Sequence, residues 1–288
     1  DHSKAQAKQL VKSLSDHLPR SLTTEILHAP QDNDLGVRRQ RERITQLRQL
    51  LQPLTDPAAR RLEELADYLV EKVIWIVGGD GWAYDIGYGG LDHILASGRN
   101  VNILVMDTEV YSNTGGQQSK STPMGASAKF ATAGKLRPKK DLGLIAMTYG
   151  NIYVASVAFG ARDTQTVRAL QDAASFDGVS LVIGYAHCIA HGYDMSAGLD
   201  RQKSAVKSGY WPLYRYDPRR LGTGSSPLEL DAADPDLDLS EFMTNETRFR
   251  ITERQDPERY RLMVAGANDE VRRRFDILKR MAEGSAAE

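Results

Sequence analysis

The stretch from Val73 to Gln117 limits the possible folds more than any other part of this chain. It opens with an apolar run, Val73 to Val77, and turns sharply through Gly78-Gly79-Asp80-Gly81. The pattern then predicts a helix from Trp82 to about Ala96 and a second apolar strand, VNILVM, at 101–106. The chain leaves that strand through Asp107-Thr108-Glu109-Val110-Tyr111-Ser112-Asn113 and a glycine pair. Two strands joined by a helix form a parallel βαβ unit, and ligands of such open sheets sit beyond the carboxyl ends of the strands. Both polar, glycine-rich segments fall at that edge.

The alternation continues. Asp141 is placed to cap a helix over DLGLIAMTY that Gly150 can close, and YVASVAF follows as a third strand. Asp163 opens a helix through about Ser175, and SLVIGY makes a fourth strand. This predicts the α/β class: a doubly wound, mainly parallel sheet with helices on both faces. GASAKFATAGK suggests a short helix near 125–132. A helix near 197–208 leads to WPLYRYDPRR, read as a short edge strand closed by Pro218. Residues 221–240, rich in Gly, Ser, Pro and Asp, read as an exposed arm without a folding pattern. A last helix is expected over 256–283, with Arg272-Arg273-Arg274 as a solvated face.

Upstream, residues 1–72 read as a helical layer for packing or docking. Leu10, Val11, Leu14 and Leu18 share one helix face. A charged helix is expected from Leu35 to Leu51, stopped by Pro53, and Asp56-Pro57 supplies an N-cap and a first-turn proline for the next. The expected divisions are 1–72, 73–220 and 221–288.

The strand ends carry recognisable chemistry. Gly79 and Gly81 let a ligand approach the main chain, and a helix start beside them suits a phosphate. Asp80 between them would repel that phosphate unless a cation lay between, and Mg²⁺ shares oxygen ligands with phosphates. The second strand end adds Asp107, the Thr108 hydroxyl, the carbonyls around Val110 and the Asn113 amide. Together they suggest a metal–diphosphate clamp, with Asp107 orienting the loop rather than ligating.

GDG followed about thirty residues later by an asparagine-bearing loop resembles the thiamine diphosphate motif. The strings GGDGWAYDIGYGGLDHILASGRNVNILVMDTEVYSNTGGQ and KSGYWPLYRYDPR resemble the pyruvate:ferredoxin (flavodoxin) oxidoreductases, over roughly residues 70–220. The resemblance implies the thiamine diphosphate-binding fold, with Mg²⁺ held by Asp80, the Thr108 hydroxyl and the Val110 carbonyl. It implies that Gly79, Asp80, Gly81 and Trp82, with Thr108, Glu109, Val110, Tyr111, Ser112 and Asn113, line the cofactor. Asn113 would lie nearest the reacting centre as the catalytic residue. It further implies oxidative decarboxylation of pyruvate to acetyl-CoA and CO₂, with coenzyme A as acceptor and electrons leaving through iron–sulfur clusters to ferredoxin or flavodoxin.

Cys188 is the single cysteine of the 288 residues. A lone cysteine is ordinarily a small buried apolar residue. His187 and His191 beside it raise the thought of zinc, but a fourth ligand is wanting. The resemblance implies instead that Cys188 supplies one ligand to a [4Fe-4S] cluster, the other three cysteines lying outside this chain. It also implies that the chain is the carboxy-terminal part of a longer enzyme, homodimeric when complete. The chain alone is then catalytically incomplete, since the glutamate that tunes the cofactor lies in upstream domains.

Composition adds exclusions. A net charge of −1 gives no reason to expect nucleic acid or an anionic membrane as partner. No apolar run approaches a spanning length, and the lone cysteine fits a reducing cytoplasm. Lys120, Lys129, Lys135, Lys139 and Lys140 read as solvated surface, while Tyr84 and Tyr88, four apart, read as core. Two other readings stand beside the favoured one. One is a dinucleotide-binding dehydrogenase domain, for which Tyr84 stands where G-x-G-x-x-G wants its third glycine. The other is a docking subunit with a vestigial site.

Overall fold

The computed structural model describes residues 2–284, and the chain divides into two compact units, Asp1–Val73 and Ile74–Glu288. In the first unit, α1 (His2–Ser13), α2 (Arg20–His28), α3 (Asp34–Leu51) and α4 (Pro57–Leu65) enclose their own core. Val11, Leu47 and Leu62 are fully buried there, and Leu14 and Leu18 join them. α1 ends at Ser13, however, so these two leucines are buried from the turn beyond it rather than from the one helix face that the spacing predicts. Asp56 caps α4 by accepting from the Ala58 amide at 2.7 Å. Gln40, also fully buried, donates to the carbonyls of Ile26 (2.9 Å) and Leu69 (3.1 Å) and ties the helices together.

The second unit is built on a six-stranded sheet of order β1-β2-β4-β3-β5-β6. β1 (Trp75–Gly79), β2 (Val101–Asp107), β4 (Val179–Tyr185) and β3 (Tyr153–Val157) are parallel. β5 (Tyr214–Tyr216) pairs antiparallel with β3, and β6 (Leu228–Leu230) pairs antiparallel with β5. α5 (Tyr88–Leu95) and α6 (Leu142–Met147) cover one face, burying Leu91, Leu95 and Leu142 against Ile103, Val154 and Leu181. α7 (Asp163–Ser175) covers the other, with Ala169 and Ala173 against Tyr153, Ala155 and Val182. The mainly parallel, doubly wound α/β sheet is therefore present.

The helix expected from Trp82 is different in kind. Gly81–Ile86 forms a π-helical turn, closed by the Gly87 amide to the Trp82 carbonyl at 2.8 Å, and α5 starts only at Tyr88. The Trp82 ring explains the widened turn. It occupies the space where a Cβ at Gly78 would stand 2.5 Å from Cε3 and one at Gly87 would stand 2.1 Å from Cδ1.

No helix forms at 125–132. Gly125, Phe130 and Gly134 have left-handed backbones (φ +85°, +68°, +84°), which break an α-helix, and the segment is held by isolated bridges instead. β5 is not the edge either: Leu228–Leu230 of the supposed arm pairs outside it as β6. α8 (Gly198–Lys207), α9 (Leu239–Thr244), α10 (Thr247–Gln255) and α11 (Pro257–Glu283) complete the unit. Phe242, Phe249, Val271 and Leu278 join the sheet's main core, so residues beyond 220 belong to this unit rather than to a separate arm. Arg272 and Arg273 are exposed as expected, but half-buried Arg274 turns inward and donates to the Tyr210 carbonyl. Among the described residues, no helix is long and apolar enough to cross a membrane.

Candidate functional site

The parallel register brings the strand ends together. Gly79 pairs with Met106 and Asp107 with Tyr185, and the Ala186 amide donates to the Asp107 carbonyl at 2.9 Å. Asp80, Thr108 and the Cys188 turn thus emerge along one edge of three adjacent strands.

Three expected metal ligands converge there. The Thr108 Oγ1 donates to Asp80 Oδ1 at 2.9 Å and lies 3.0 Å from the Val110 carbonyl oxygen. In an octahedron with bonds of about 2.1 Å, adjacent oxygens stand about 3.0 Å apart, so this spacing suits Mg²⁺. Asp80 is almost fully buried. Burial, then the nearby charge of Asp107, pushes its carboxyl up to about 7, against the hydrogen bonds of Ser119 and Thr108. A buried carboxylate disfavoured in this way gains from a bound cation. Its second oxygen is fixed by Ser119 Oγ at 2.5 Å, leaving Oδ1 facing Thr108.

The residues expected to line a cofactor divide into two groups. Gly79 is exposed, and the Gly81 backbone lies beneath the Tyr111 ring, whose hydroxyl donates to the Gly81 carbonyl at 3.2 Å. Ser112 and Asn113 are exposed on the loop, which the Tyr111 and Gly116 amides close at 3.0 Å and 2.9 Å. Trp82 is half-buried against Gly78 and Gly87. The Glu109 side chain, by contrast, points into the interior and cannot line a surface site. It meets Lys139 (3.0 Å), Arg248 (2.9 Å) and the Tyr210 hydroxyl (2.6 Å). Burial raises its pKa, but Lys139 and Arg248 outweigh burial and hold it at about 2.

Lys139 corrects the expectation of a solvated lysine face. Its side chain is only 10% exposed, with Nζ 2.8 Å from Asp107 and 3.0 Å from Glu109. Burial opposes its charge, yet the two carboxylates raise its pKa above the ordinary lysine value. Lys135 is also drawn in, its ammonium donating to the carbonyls of Ser119 (3.1 Å), Lys120 (3.2 Å) and Thr122 (2.5 Å). Burial and Lys139 lower it to about 8. Lys120 and Lys129 remain at the surface, and Lys140 packs over the Tyr88 ring. Tyr84 is core, but its hydroxyl serves the site by donating to Asp107 at 2.7 Å.

Asp107 does orient the loop. It accepts from the Glu109 amide (3.0 Å), Ser121 Oγ (2.5 Å), Tyr84 and Lys139. Sequence reasoning missed this supporting layer of Ser119, Ser121, Lys139, Tyr210 and Arg248. The serines of Ser119-Lys120-Ser121-Thr122, directly after the loop, were the one local signal.

Cys188 is buried at the turn after β4, where its Sγ accepts from the Ala190 amide at 3.5 Å. His191 links that turn to the metal loop: its amide donates to the Cys188 carbonyl (3.0 Å), and its ring Nε2 lies 2.8 Å from the Thr108 carbonyl. Burial, then the charge of Arg248, lowers the imidazole to about 3, so it is neutral. A carbonyl only accepts, so Nε2 carries the proton.

Comparison with known proteins places similarity over the segment that carries these strand ends. Residues 63–183 match the family model "Thiamine pyrophosphate enzyme, C-terminal TPP binding domain". The chain is 58% identical over 283 residues to a pyruvate-flavodoxin oxidoreductase of Rhodospirillum rubrum, covering 98% of this chain and 24% of that protein. It is 52% identical over 223 residues to the pyruvate:ferredoxin oxidoreductase of Moorella thermoacetica, covering 77% and 19%. It is 44% identical over 282 residues to a probable pyruvate-flavodoxin oxidoreductase of Escherichia coli, covering 98% and 23%. The chain therefore spans about a quarter of the length of these flavodoxin-named relatives.

Proposed function

Because this chain carries a thiamine diphosphate-binding domain homologous to the corresponding segment of pyruvate-flavodoxin oxidoreductases, we propose that it binds the cofactor of such an enzyme through Mg²⁺. The convergence of Asp80 Oδ1, Thr108 Oγ1 and the Val110 carbonyl at octahedral spacing carries this reading. Thiamine diphosphate, when bound, supplies the nucleophilic carbon and electron sink for decarboxylating a 2-oxoacid. Pyruvate is the substrate favoured by the relatives' names.

The chain's own contribution is binding and orientation. Asp80, Thr108 and Val110 would hold Mg²⁺, and the exposed Gly79 edge would admit the diphosphate beside it. Asn113, exposed on the loop, is free to meet cofactor or substrate. Cys188 would give one thiolate to a [4Fe-4S] cluster whose other three ligands come from elsewhere, because such clusters take four. The His191 link between the Cys188 turn and Thr108 supports this, since it ties the cysteine's turn to the loop that would hold the cofactor.

The full reaction would be completed by domains outside this chain. These would add the cofactor-tuning glutamate, the remaining cluster ligands and access for coenzyme A and for ferredoxin or flavodoxin. We place the assembled enzyme in the cytoplasm as a homodimer. The dehydrogenase alternative is disfavoured because buried Tyr84 replaces the third fingerprint glycine and Asp80 would repel a metal-free pyrophosphate.

Titration calorimetry with thiamine diphosphate, with and without Mg²⁺ and with NAD as control, tests the proposal. Metal-dependent binding that vanishes in Asp80→Ala is expected. Binding of NAD, or of thiamine diphosphate regardless of metal and Asp80, would overturn it.

A further inference from the structure

Glu109 lies between the two loop residues assigned to the metal, and its backbone is left-handed (φ +60°). A non-glycine residue adopts that conformation only where its surroundings over-determine it. Here they do. Both carboxylate oxygens are held, Oε1 by Lys139 at 3.0 Å and Oε2 by Arg248 at 2.9 Å and Tyr210 at 2.6 Å. Lys139 also grips Asp107, on the other side of Thr108, at 2.8 Å. Thr122 Oγ1 fixes the Glu109 carbonyl at 2.6 Å. Thr108 is thus flanked by two anchored carboxylates, and the reversal at Glu109 brings the Val110 carbonyl back to within 3.0 Å of the Thr108 hydroxyl.

We infer that Glu109, clamped by Lys139, Arg248 and Tyr210, is the specificity-determining residue that makes this site prefer Mg²⁺ to Ca²⁺. The inference rests on the metal-bridged cofactor reading above and adds to it the residue that sets metal choice. Mg²⁺ demands near-ideal octahedral geometry at about 2.1 Å, whereas Ca²⁺ accepts longer bonds and varied coordination. A loop free to fluctuate therefore costs Mg²⁺ more than Ca²⁺. Glu109 touches no ligand itself and acts by fixing the backbone that carries two of them. Arg248 comes from α10, 139 positions along the chain, so the carboxy-terminal helices take part in holding the metal loop.

The test uses the whole protein that carries this chain and reads binding rather than turnover. Thiamine diphosphate affinity is measured calorimetrically in Mg²⁺ and in Ca²⁺ for wild type, Glu109→Gln and Tyr210→Phe. Glu109→Gln keeps the side-chain volume but loses the charge that holds Lys139 and Arg248. Its Mg²⁺ affinity is expected to fall about 10- to 100-fold, the usual range for a residue that orients a metal ligand. Ca²⁺ affinity should fall less, so that the Mg²⁺:Ca²⁺ ratio drops about tenfold. Tyr210→Phe removes one hydrogen bond without emptying the core, and should shift the ratio the same way by a smaller factor.

A ratio unchanged in the folded variants, or both metals weakened equally, overturns the clamp while leaving the cofactor reading intact. Should Glu109→Gln not fold, Tyr210→Phe alone decides by the same criterion. A wild type that binds thiamine diphosphate without any divalent metal overturns the cofactor reading, and the clamp with it.

Discussion

Gly81→Ala offers a clean separation of site geometry from fold stability. A Cβ at position 81 would stand 2.5, 2.6 and 2.8 Å from Cε1, Cδ1 and Cζ of Tyr111. Carbon atoms rest at about 3.5–4.0 Å, so the ring must retreat by about 1 Å. Forcing a methyl into packed space costs about 1–3 kcal/mol. Tyr111 is only half-buried, so its ring can swing outward, and the stability cost should sit near the lower end of that range. The motion, however, pulls on Val110 next to it, whose carbonyl lies 3.0 Å from the Thr108 hydroxyl. It also breaks the Tyr111 hydroxyl bond to the Gly81 carbonyl. Mg²⁺-dependent thiamine diphosphate affinity is therefore expected to fall about tenfold or more. The control is Gly90→Ala in α5, where a Cβ meets nothing within 4 Å; it should stabilise by about 0.5 kcal/mol with cofactor affinity unchanged. Urea unfolding and calorimetric titration read the two effects. A Gly81→Ala protein that binds the cofactor as tightly as wild type would refute the reasoning.

Further predictions concern the buried charges and the helical unit. Lys139→Met leaves Asp107 and Glu109 without their shared cation, and urea unfolding should show a loss of about 3–5 kcal/mol, the range for breaking a buried ion pair. The Glu109 carboxyl, ordinarily at 4.5, is held at about 2 in the fold. A depressed pKa stabilises fully above the unfolded value and is lost as pH falls through the folded one. Wild type should therefore lose stability more steeply than Glu109→Gln between pH 4.5 and 2, and equal slopes in an acid series of melts would count against it. Asp56→Ala removes the α4 cap and should cost about 1 kcal/mol in thermal unfolding, without changing cofactor affinity.

The sheet was legible because its strands are unbroken apolar runs between turn residues. Ile103, Val105, Leu181 and Ile183 are buried in the main core on one face, while Val182 packs under α7 on the other. The edge residues Asp80 and Thr108 were legible from motif and resemblance, and the parallel register explains why residues 28 apart meet. Distances defeated the rest. Lys139 sits in a surface-like KLRPKK string, and nothing local reveals that its partners lie 30 and 32 positions earlier. Glu109 reads as part of a cofactor loop because sequence does not show that its left-handed backbone aims the side chain inward. The alanine-rich 125–132 segment favours a helix by propensity, but left-handed backbones at Gly125 and Phe130, and at Gly134 just beyond, override it. β6 has only three residues and pairs by backbone, which leaves no periodicity to find.

The central claim is that Asp80, Thr108 and Val110 hold one divalent cation between them. Its most direct test is a crystal structure of the whole protein grown with thiamine diphosphate and Mn²⁺, read by anomalous scattering. The account predicts one strong peak within about 2.1–2.3 Å of Asp80 Oδ1, Thr108 Oγ1 and the Val110 carbonyl, bridged to the diphosphate. A peak elsewhere, or cofactor bound with these three oxygens still hydrogen-bonded to one another, would contradict it.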